Sequence, residues 1–190
     1  MAQVLKEEVR NRILEAAEKI FYEKDYRSAK LTEIAAEADI PVALIYTYFK
    51  NKASLFDAIV EPVNVHFNAA FNEEEALPRG TASERFEEAG AIYVRKLLRD
   101  RKKFIILMDK SSGTKHMQAK GQLIAQMQKH IEEGLSRQLK PKYDPMLSHI
   151  LASNFTEGLL EIARHYKSAE WAENMLKLMA KCYYTGVDSL

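Results

Sequence analysis

Metal or nucleophilic chemistry in this 190-residue sequence would have to come from five histidines, one cysteine and the serines and carboxylates around them. The spacings do not supply it. There is no His-Glu-x-x-His pair, no Glu-x-x-His of a di-iron bundle and no Cys-x-x-Cys. A Gly-x-Ser-x-Gly elbow is absent, and no glycine precedes Gly80, so the N-terminal part has no glycine-rich phosphate loop. Cys182 alone makes neither a disulfide framework nor a thiolate cluster. His149 and His165 sit on a partly apolar helix, where packing or an interface accounts for them better than catalysis. No catalytic residue, metal site or cofactor is expected, and the chain does not read as an enzyme.

What remains is a concentration of ammonium and hydroxyl groups between Lys30 and Lys52, groups suited to phosphate. Lys52 follows a plausible N-cap, Asn51, and stands in the first turn of a helix beside Lys50, where the helix's positive end adds to it. Lys30 and Thr32 occupy the equivalent place on an earlier helix. Tyr46, Tyr48 and Phe49 put three aromatics into four residues, and one helix cannot face all three inward. Ile45 and Phe49 suit the core, which leaves the Tyr46 and Tyr48 hydroxyls for phosphates.

Those groups need a frame, and Leu31 to Lys50 provides one. It reads as a short helix, a tight turn at Ala38-Asp39-Ile40 and a second short helix opening at Pro41, where proline suits a first turn. Ile34, Ala35, Ala38, Ile40 and Ile45 can pack together, and the alanines let the two helices cross closely. That is a helix-turn-helix, whose second helix must project far enough to enter a DNA major groove. Val42, Ala43 and Leu44 lack base-edge hydrogen-bonding groups, so thymine methyl contacts and DNA shape should carry their readout, with Thr47 setting sequence preference.

The same residues resemble the tetracycline-repressor (TetR) family. Arg12-Ile-Leu14, Ala16-Ala17 and Phe21 look like its first helix, and Ile34-Ala35 with Ala38 like its second. Ile45-Tyr46, Tyr48-Phe49, Lys52 and Leu55-Phe56 look like its third helix and the start of its fourth. The resemblance spans about residues 7–60. It implies a homodimer with two DNA-reading heads, a ligand-binding C-terminal domain and ligand-induced release of DNA. Asp25 and Asp39 stand where the family usually has glycine, Lys30 where it has a capping threonine, and Pro41 and Ala43 where it has serine and glycine. These departures bear on base contacts rather than on fold.

The rest of the chain is helical in pattern, with scarce Gly and Pro and no alternating strand-like runs. Val9, Ile13, Ala16, Ala17, Ile20 and Phe21 form the apolar stripe of a first helix over about 7–23. Glu73 to Gly80 reads as a polar loop. Thr81 with Glu84 forms a capping box opening a helix to about Asp100. Further helices are expected over 104–110, over 114 to about 139, from Asp144-Pro145 to Tyr166, and from Ser168 almost to the end. The expectation is an all-α fold of about nine helices. Residues 1–56 form a three-helix DNA-binding domain, and 57–190 a larger ligand-binding and dimerisation domain.

Bulk charge neither favours nor opposes this. The total is +1, and residues 1–56 hold nine basic and nine acidic residues. The longest wholly apolar run, Phe104 to Met108, is far too short to span a bilayer, and no signal peptide is evident, so a cytoplasmic protein is expected. Leu147, Leu151, Phe155, Ile162 and Tyr166 form one stripe on the penultimate helix, which Met146, Ile150 and Leu160 widen. The last helix carries two lines, Trp171-Met175-Leu178-Cys182 and Leu176-Met179-Tyr183-Val187. Such width exceeds the needs of one neighbour and points to a four-helix dimer interface.

Phe67, Phe71, Phe86, Tyr93, Phe104, Met108, Met117, Met127 and Phe155 would line an effector pocket, with Asn154 or His149 meeting a polar end. No acidic cluster faces that set in the sequence, which argues against a strongly cationic ligand and for a flat or chain-like apolar one. The function expected is a ligand-responsive repressor that binds a palindromic operator as a dimer and is released by a small apolar effector. The alternative is a helical ligand-binding or scaffold protein that does not bind DNA.

Overall fold

A computed structural model describes residues 2–77, 79–138 and 144–188, and among them every regular element is a helix. The helices are α1 (Ala2–Glu23), α2 (Leu31–Glu37), α3 (Val42–Tyr48), α4 (Lys52–Ala76), α5 (Ala82–Arg85), α6 (Ala91–Arg99), α7 (Arg101–Asp109), α8 (Ala119–Gln138), α9 (Pro145–Arg164) and α10 (Ala169–Asp188). A π-helical segment, Phe86–Gly90, joins α5 to α6 in one continuous run. No described helix is long and apolar enough to cross a membrane. Leu139, Pro141 and the side chain of Val187 lie outside the described part.

The caps explain most of the boundaries. Asn51 and Ser54 cap α4 reciprocally: Ser54 N donates to Asn51 Oδ1 at 2.8 Å, and Asn51 N to Ser54 Oγ at 3.1 Å. The Thr81–Glu84 capping box is formed in both directions. Asp144 accepts from Met146 N at 2.8 Å with Pro145 in the first turn, and Ser168 Oγ accepts from Trp171 N at 3.1 Å.

Three boundaries differ from the sequence expectation. α1 begins at Ala2 rather than near residue 7. α4 continues to Ala76, so Glu73 and Glu74 are helical rather than part of a loop. α8 starts at Ala119 rather than Thr114, because the Thr114 hydroxyl donates to Ser111 O at 2.8 Å and accepts from His116 N at 3.0 Å. These side-chain bonds compete with helix formation, and Gly113, at φ 87°, turns the chain.

Packing divides the chain into two compact units. The first joins residues up to Asn64 with Lys102–Met117, and the second joins Val65–Arg101 with Gln118 onward. In the first unit Ile13, Ala16, Ala17, Ile20 and Phe21 of α1 are buried as their spacing requires, with Ile34, Ile45, Leu55 and Phe56. Phe56 meets the Phe21 and Tyr26 rings edge-on at 5.1 and 5.2 Å. α7 adds Phe104, Ile106 and Leu107, all fully buried. In the second unit α8 packs along α9, and α10 packs against α9, α5 and α6.

Candidate nucleic-acid interface

α3 is seven residues long and projects a face. Ile45 is fully buried and Phe49, its C-cap, nearly so, while Val42, Ala43, Tyr46 and Thr47 are exposed, Tyr46 by 56%. Leu44 and Tyr48 are half-buried. Ile45 and Phe49 thus anchor the helix, and Tyr46 and Thr47 between them face outward. Lys30 and Thr32 are exposed at the start of α2. α2 has no capping hydroxyl; the Glu33 carboxylate instead accepts the Lys30 backbone N–H at 3.2 Å. The Lys24 ammonium, 2.8 Å from Glu33, and that N–H hold the Glu33 carboxyl below its ordinary pKa.

The turn between the two helices is held from α1. The Arg12 guanidinium donates to Ala38 O and, at 2.9 Å, to Asp39 O. Asp39 has φ 52°, the left-handed conformation expected of the family's glycine position. Asp25 does not share it. Its side chain accepts from Ser28 N at 2.7 Å, an Asx-type turn that needs no positive φ, and this bond lowers its pKa.

Lys52 departs from the phosphate-clamp expectation. Its ammonium donates to Tyr26 O at 2.7 Å and Ala29 O at 2.9 Å, and lies 4.4 Å from the Tyr26 ring centre. Two of its three N–H donors are therefore spent on the connection between α1 and α2. Burial pushes its pKa down, and the Asp25 charge opposes that. Sequence reasoning missed this because nothing local marks the carbonyls of residues 26 and 29 as needing a donor.

The segment after α7 grips the same connection. Tyr26 N donates to Lys110 O at 3.0 Å, and a Cβ on Gly113 would come within 3.0 Å of Arg27 Nε. His116 Nε2 lies 2.7 Å from Asp57 Oδ1 on α4, and Lys115 Nζ 2.8 Å from Asp57 Oδ2. Burial pushes the Asp57 carboxyl up, but the Lys115 and His116 contacts outweigh it and hold its pKa below the usual value.

The residues expected around an effector fall in both units. Phe104 is in the core of the first unit, with Met108 half-buried and Met117 exposed there. Phe67, Phe71, Phe86, Tyr93, Met127 and Phe155 belong to the second unit. Phe86 and Phe155 meet edge-on at 6.0 Å, and Tyr183 and Tyr184 complete a four-ring cluster with them. Met127 packs beside Ile131 and Ala152 in a group that also contains Tyr183. Tyr93 is half-buried, and its hydroxyl is 3.5 Å from Glu73 Oε1. His149 and Asn154 are both exposed on α9, His149 bonded to Gln128 at 3.2 Å.

The polar group beside these rings is instead Glu74, only 6% exposed, with Oε2 3.0 Å from His130 Nε2. His130 stacks near Phe71 at 5.5 Å. Burial, then the Glu74 charge, raises the pKa of Tyr183 and Tyr184. A signal for Glu74 exists in the sequence: Val63, Phe67, Ala70 and Glu74 repeat at helical spacing, and all four are buried.

Comparison with known proteins agrees with this architecture. Residues 13–59 match the family model "Bacterial regulatory proteins, tetR family". The HTH-type transcriptional regulator TtgR of Pseudomonas putida is 33% identical over 78 residues, 39% of this chain and 37% of that one. The chain thus spans little more than a third of the length of the curated relatives it matches. Among solved structures, NalD, described as the secondary repressor of the MexAB-OprM multidrug efflux pump in Pseudomonas aeruginosa, aligns at TM-score 0.62 and 22% identity, covering 92% of this chain and 95% of its own. A TerR/AcrR-family transcriptional regulator of Aquifex aeolicus VF5 aligns at 0.61 and 22%, covering 92% and 98%. The fold is shared along almost the whole chain, and residues 13–59, which hold the helix-turn-helix, carry the sequence pattern of the TetR family of bacterial regulatory proteins.

Proposed function

We propose that this protein is a ligand-responsive transcriptional repressor that binds a palindromic operator as a homodimer in the cytoplasm and leaves it when a small apolar effector binds. The observation that carries the reading is the exposed face of α3, with Val42, Ala43, Tyr46 and Thr47 outward over a buried Ile45 and Phe49. Residues 1–56 read DNA on this view, and 57–190 hold the effector and the dimer contact. Tyr46, Tyr48, Lys30 and Thr32 meet phosphates, Thr47 meets a base edge, and Val42, Ala43 and Leu44 read thymine methyls and groove shape. Lys52 serves them by fixing the connection between α1 and α2. Release follows from a population shift between DNA-competent and incompetent arrangements of the heads.

Support for the dimer comes from the last two helices. On α10, Leu176 is buried and Met179 and Tyr183 half-buried, whereas Leu178 and Cys182 on the other line are exposed, Leu178 by 51%. Ile150 on α9 is 46% exposed. A second copy would cover this surface.

Selection of bound sequences from random DNA by the purified protein tests the reading. It should enrich inverted repeats with half-site centres about 34–36 Å apart or a multiple of that. Absence of any enriched sequence, with no shift of DNA in gels, would instead favour a helical ligand-binding protein that does not act on DNA.

A further inference from the structure

We infer that Arg10 is a further phosphate contact of the DNA interface, held at the C-terminal end of α3 by the ring of Phe49. The inference rests on the DNA-binding reading above and adds a residue of α1 to it.

The balanced charge of residues 1–56 hides an uneven distribution of partners. Lys19 is paired with Glu37 at 2.7 Å, and Lys24 with Glu33 at 2.8 Å. Arg12 and Lys52 spend N–H groups on backbone carbonyls of the turn and of the connection between α1 and α2. Arg10 is different. Among the described residues it makes no hydrogen bond and no ion pair, although Glu7 stands one turn back on the same helix. Its partner is a ring: the guanidinium carbon lies 5.6 Å from the centre of Phe49, within the range of a cation–π attraction.

That ring fixes where the charge sits. Arg10 is exposed on α1, and without a partner its head would sweep through water. Phe49 is the C-cap of α3 and only 6% exposed, so it is a fixed anchor, and it draws the guanidinium to the end of the helix that presents Tyr46 and Thr47. Lys50, the next residue, is exposed and also makes no hydrogen bond or ion pair among the described residues. Two cations that no carboxylate neutralises thus border the C-terminal end of α3. A ring takes up no conventional hydrogen bond, so the five N–H donors of the guanidinium stay open. A planar fork of donors matches two oxygens of one phosphate. A base edge would require α1 to enter the groove that α3 occupies, which leaves the backbone phosphates as the partner.

The test uses the full-length protein, the duplex selected from random DNA and an unrelated duplex of equal length. Arg10→Gln should weaken binding to both duplexes, because phosphates carry no sequence information. It should lower the salt slope by about 0.9 per head, so the affinity gap to wild type shrinks about tenfold between 50 and 200 mM salt. Arg10→Lys keeps the charge and should restore most of the slope. Lys19→Gln, on the same helix but paired with Glu37, should leave the slope unchanged. The melting temperature of Arg10→Gln should fall by less than about 3 °C, the loss of one exposed ring contact. A slope equal to that of wild type would overturn the inference whether or not stability falls, because a residue that only covers Phe49 alters stability alone. An equal loss of slope in Lys19→Gln would overturn it too, since the slope would then report net charge and not a contact. A changed sequence preference in Arg10→Gln would make Arg10 a reader of bases and refute the phosphate assignment. Failure here is separable from failure of the regulatory reading. Wild-type protein that binds the selected duplex while Arg10→Gln keeps the slope removes Arg10 and leaves the regulator. Wild-type protein that binds neither duplex removes both.

Discussion

Replacing Lys52 by methionine separates a residue that touches DNA from one that holds the DNA-reading element in place. Methionine keeps most of the apolar stem and removes the ammonium, which donates at 2.7 and 2.9 Å to Tyr26 O and Ala29 O. Charge-assisted hydrogen bonds contribute roughly 1.5–3 kcal/mol each, and their loss leaves two carbonyls needing donors. The two bonds share one donor group, and burying the ammonium has an opposing cost, visible in its lowered pKa. A net loss of about 2 kcal/mol is therefore expected, a drop of about 1 M in the urea midpoint for a typical slope of roughly 2 kcal/mol/M. The measurement is a urea titration followed by circular dichroism at fixed protein concentration, since an associating chain has concentration-dependent stability. Operator affinity should be measured in parallel as a function of salt. A strut lowers stability and affinity while leaving the salt slope of the residual binding unchanged. A phosphate clamp leaves the midpoint alone and lowers the slope by about 0.9 per head. An unchanged midpoint with a reduced slope would refute the reasoning.

Four further perturbations are worked from the structure. Asp39→Gly relieves the left-handed conformation at φ 52° and should raise stability by about 0.5–1 kcal/mol after the extra chain entropy of glycine; a lower melting temperature would contradict this. Asp57 has a folded pKa below its ordinary 3.8, so its contribution is present above about that pH and fades as pH falls through the folded value. The stability gap between wild type and Asp57→Asn should accordingly be clear at pH 7 and shrink toward pH 3, and a gap that widens in acid would be the wrong sign. Ile150→Glu or Leu178→Glu should shift sedimentation equilibrium from twice 21.8 kDa to the single-chain mass while helical signal persists. Phe155→Glu and Met179→Glu, which sequence alone offers as interface probes, should unfold the chain instead, because Phe155 is in the four-ring cluster and Met179 Sδ lies 2.5 Å from where a Gly158 Cβ would stand.

The helices and their starts were legible because the signals are local. Asn51, Thr81–Glu84, Asp144–Pro145 and Ser168 each satisfy N–H groups within three residues, so their chemistry can be read without the fold. The same holds for Ile45 and Phe49, whose inward orientation follows from helical spacing. Long-range groupings were not legible. Nothing in residues 102–117 announces that they pack with the helix-turn-helix, since Tyr26 N to Lys110 O and His116 to Asp57 join residues 84 and 59 positions apart. The effector set drawn from residue types therefore mixed Phe104, Met108 and Met117 of the first unit with rings of the second.

Glu74 shows how a polar residue is misread when composition is weighed before periodicity. Three consecutive glutamates followed by Leu77-Pro78-Arg79-Gly80 have the composition of a solvated loop. Continuing the α4 register past Ala70 gives a different answer, because the position four residues on must face where Phe67 and Ala70 face. A lysine or arginine can extend a long stem and return its charge to water. A glutamate has two methylenes and cannot, so its carboxylate stays where the backbone puts it, 6% exposed and against Gly90. The compensations then had to be built around it: a histidine on α8, a glycine where a side chain would collide, and a locally π-wound backbone. Two separate elements, α8 and the Phe86–Gly90 segment, accommodate one short acidic side chain.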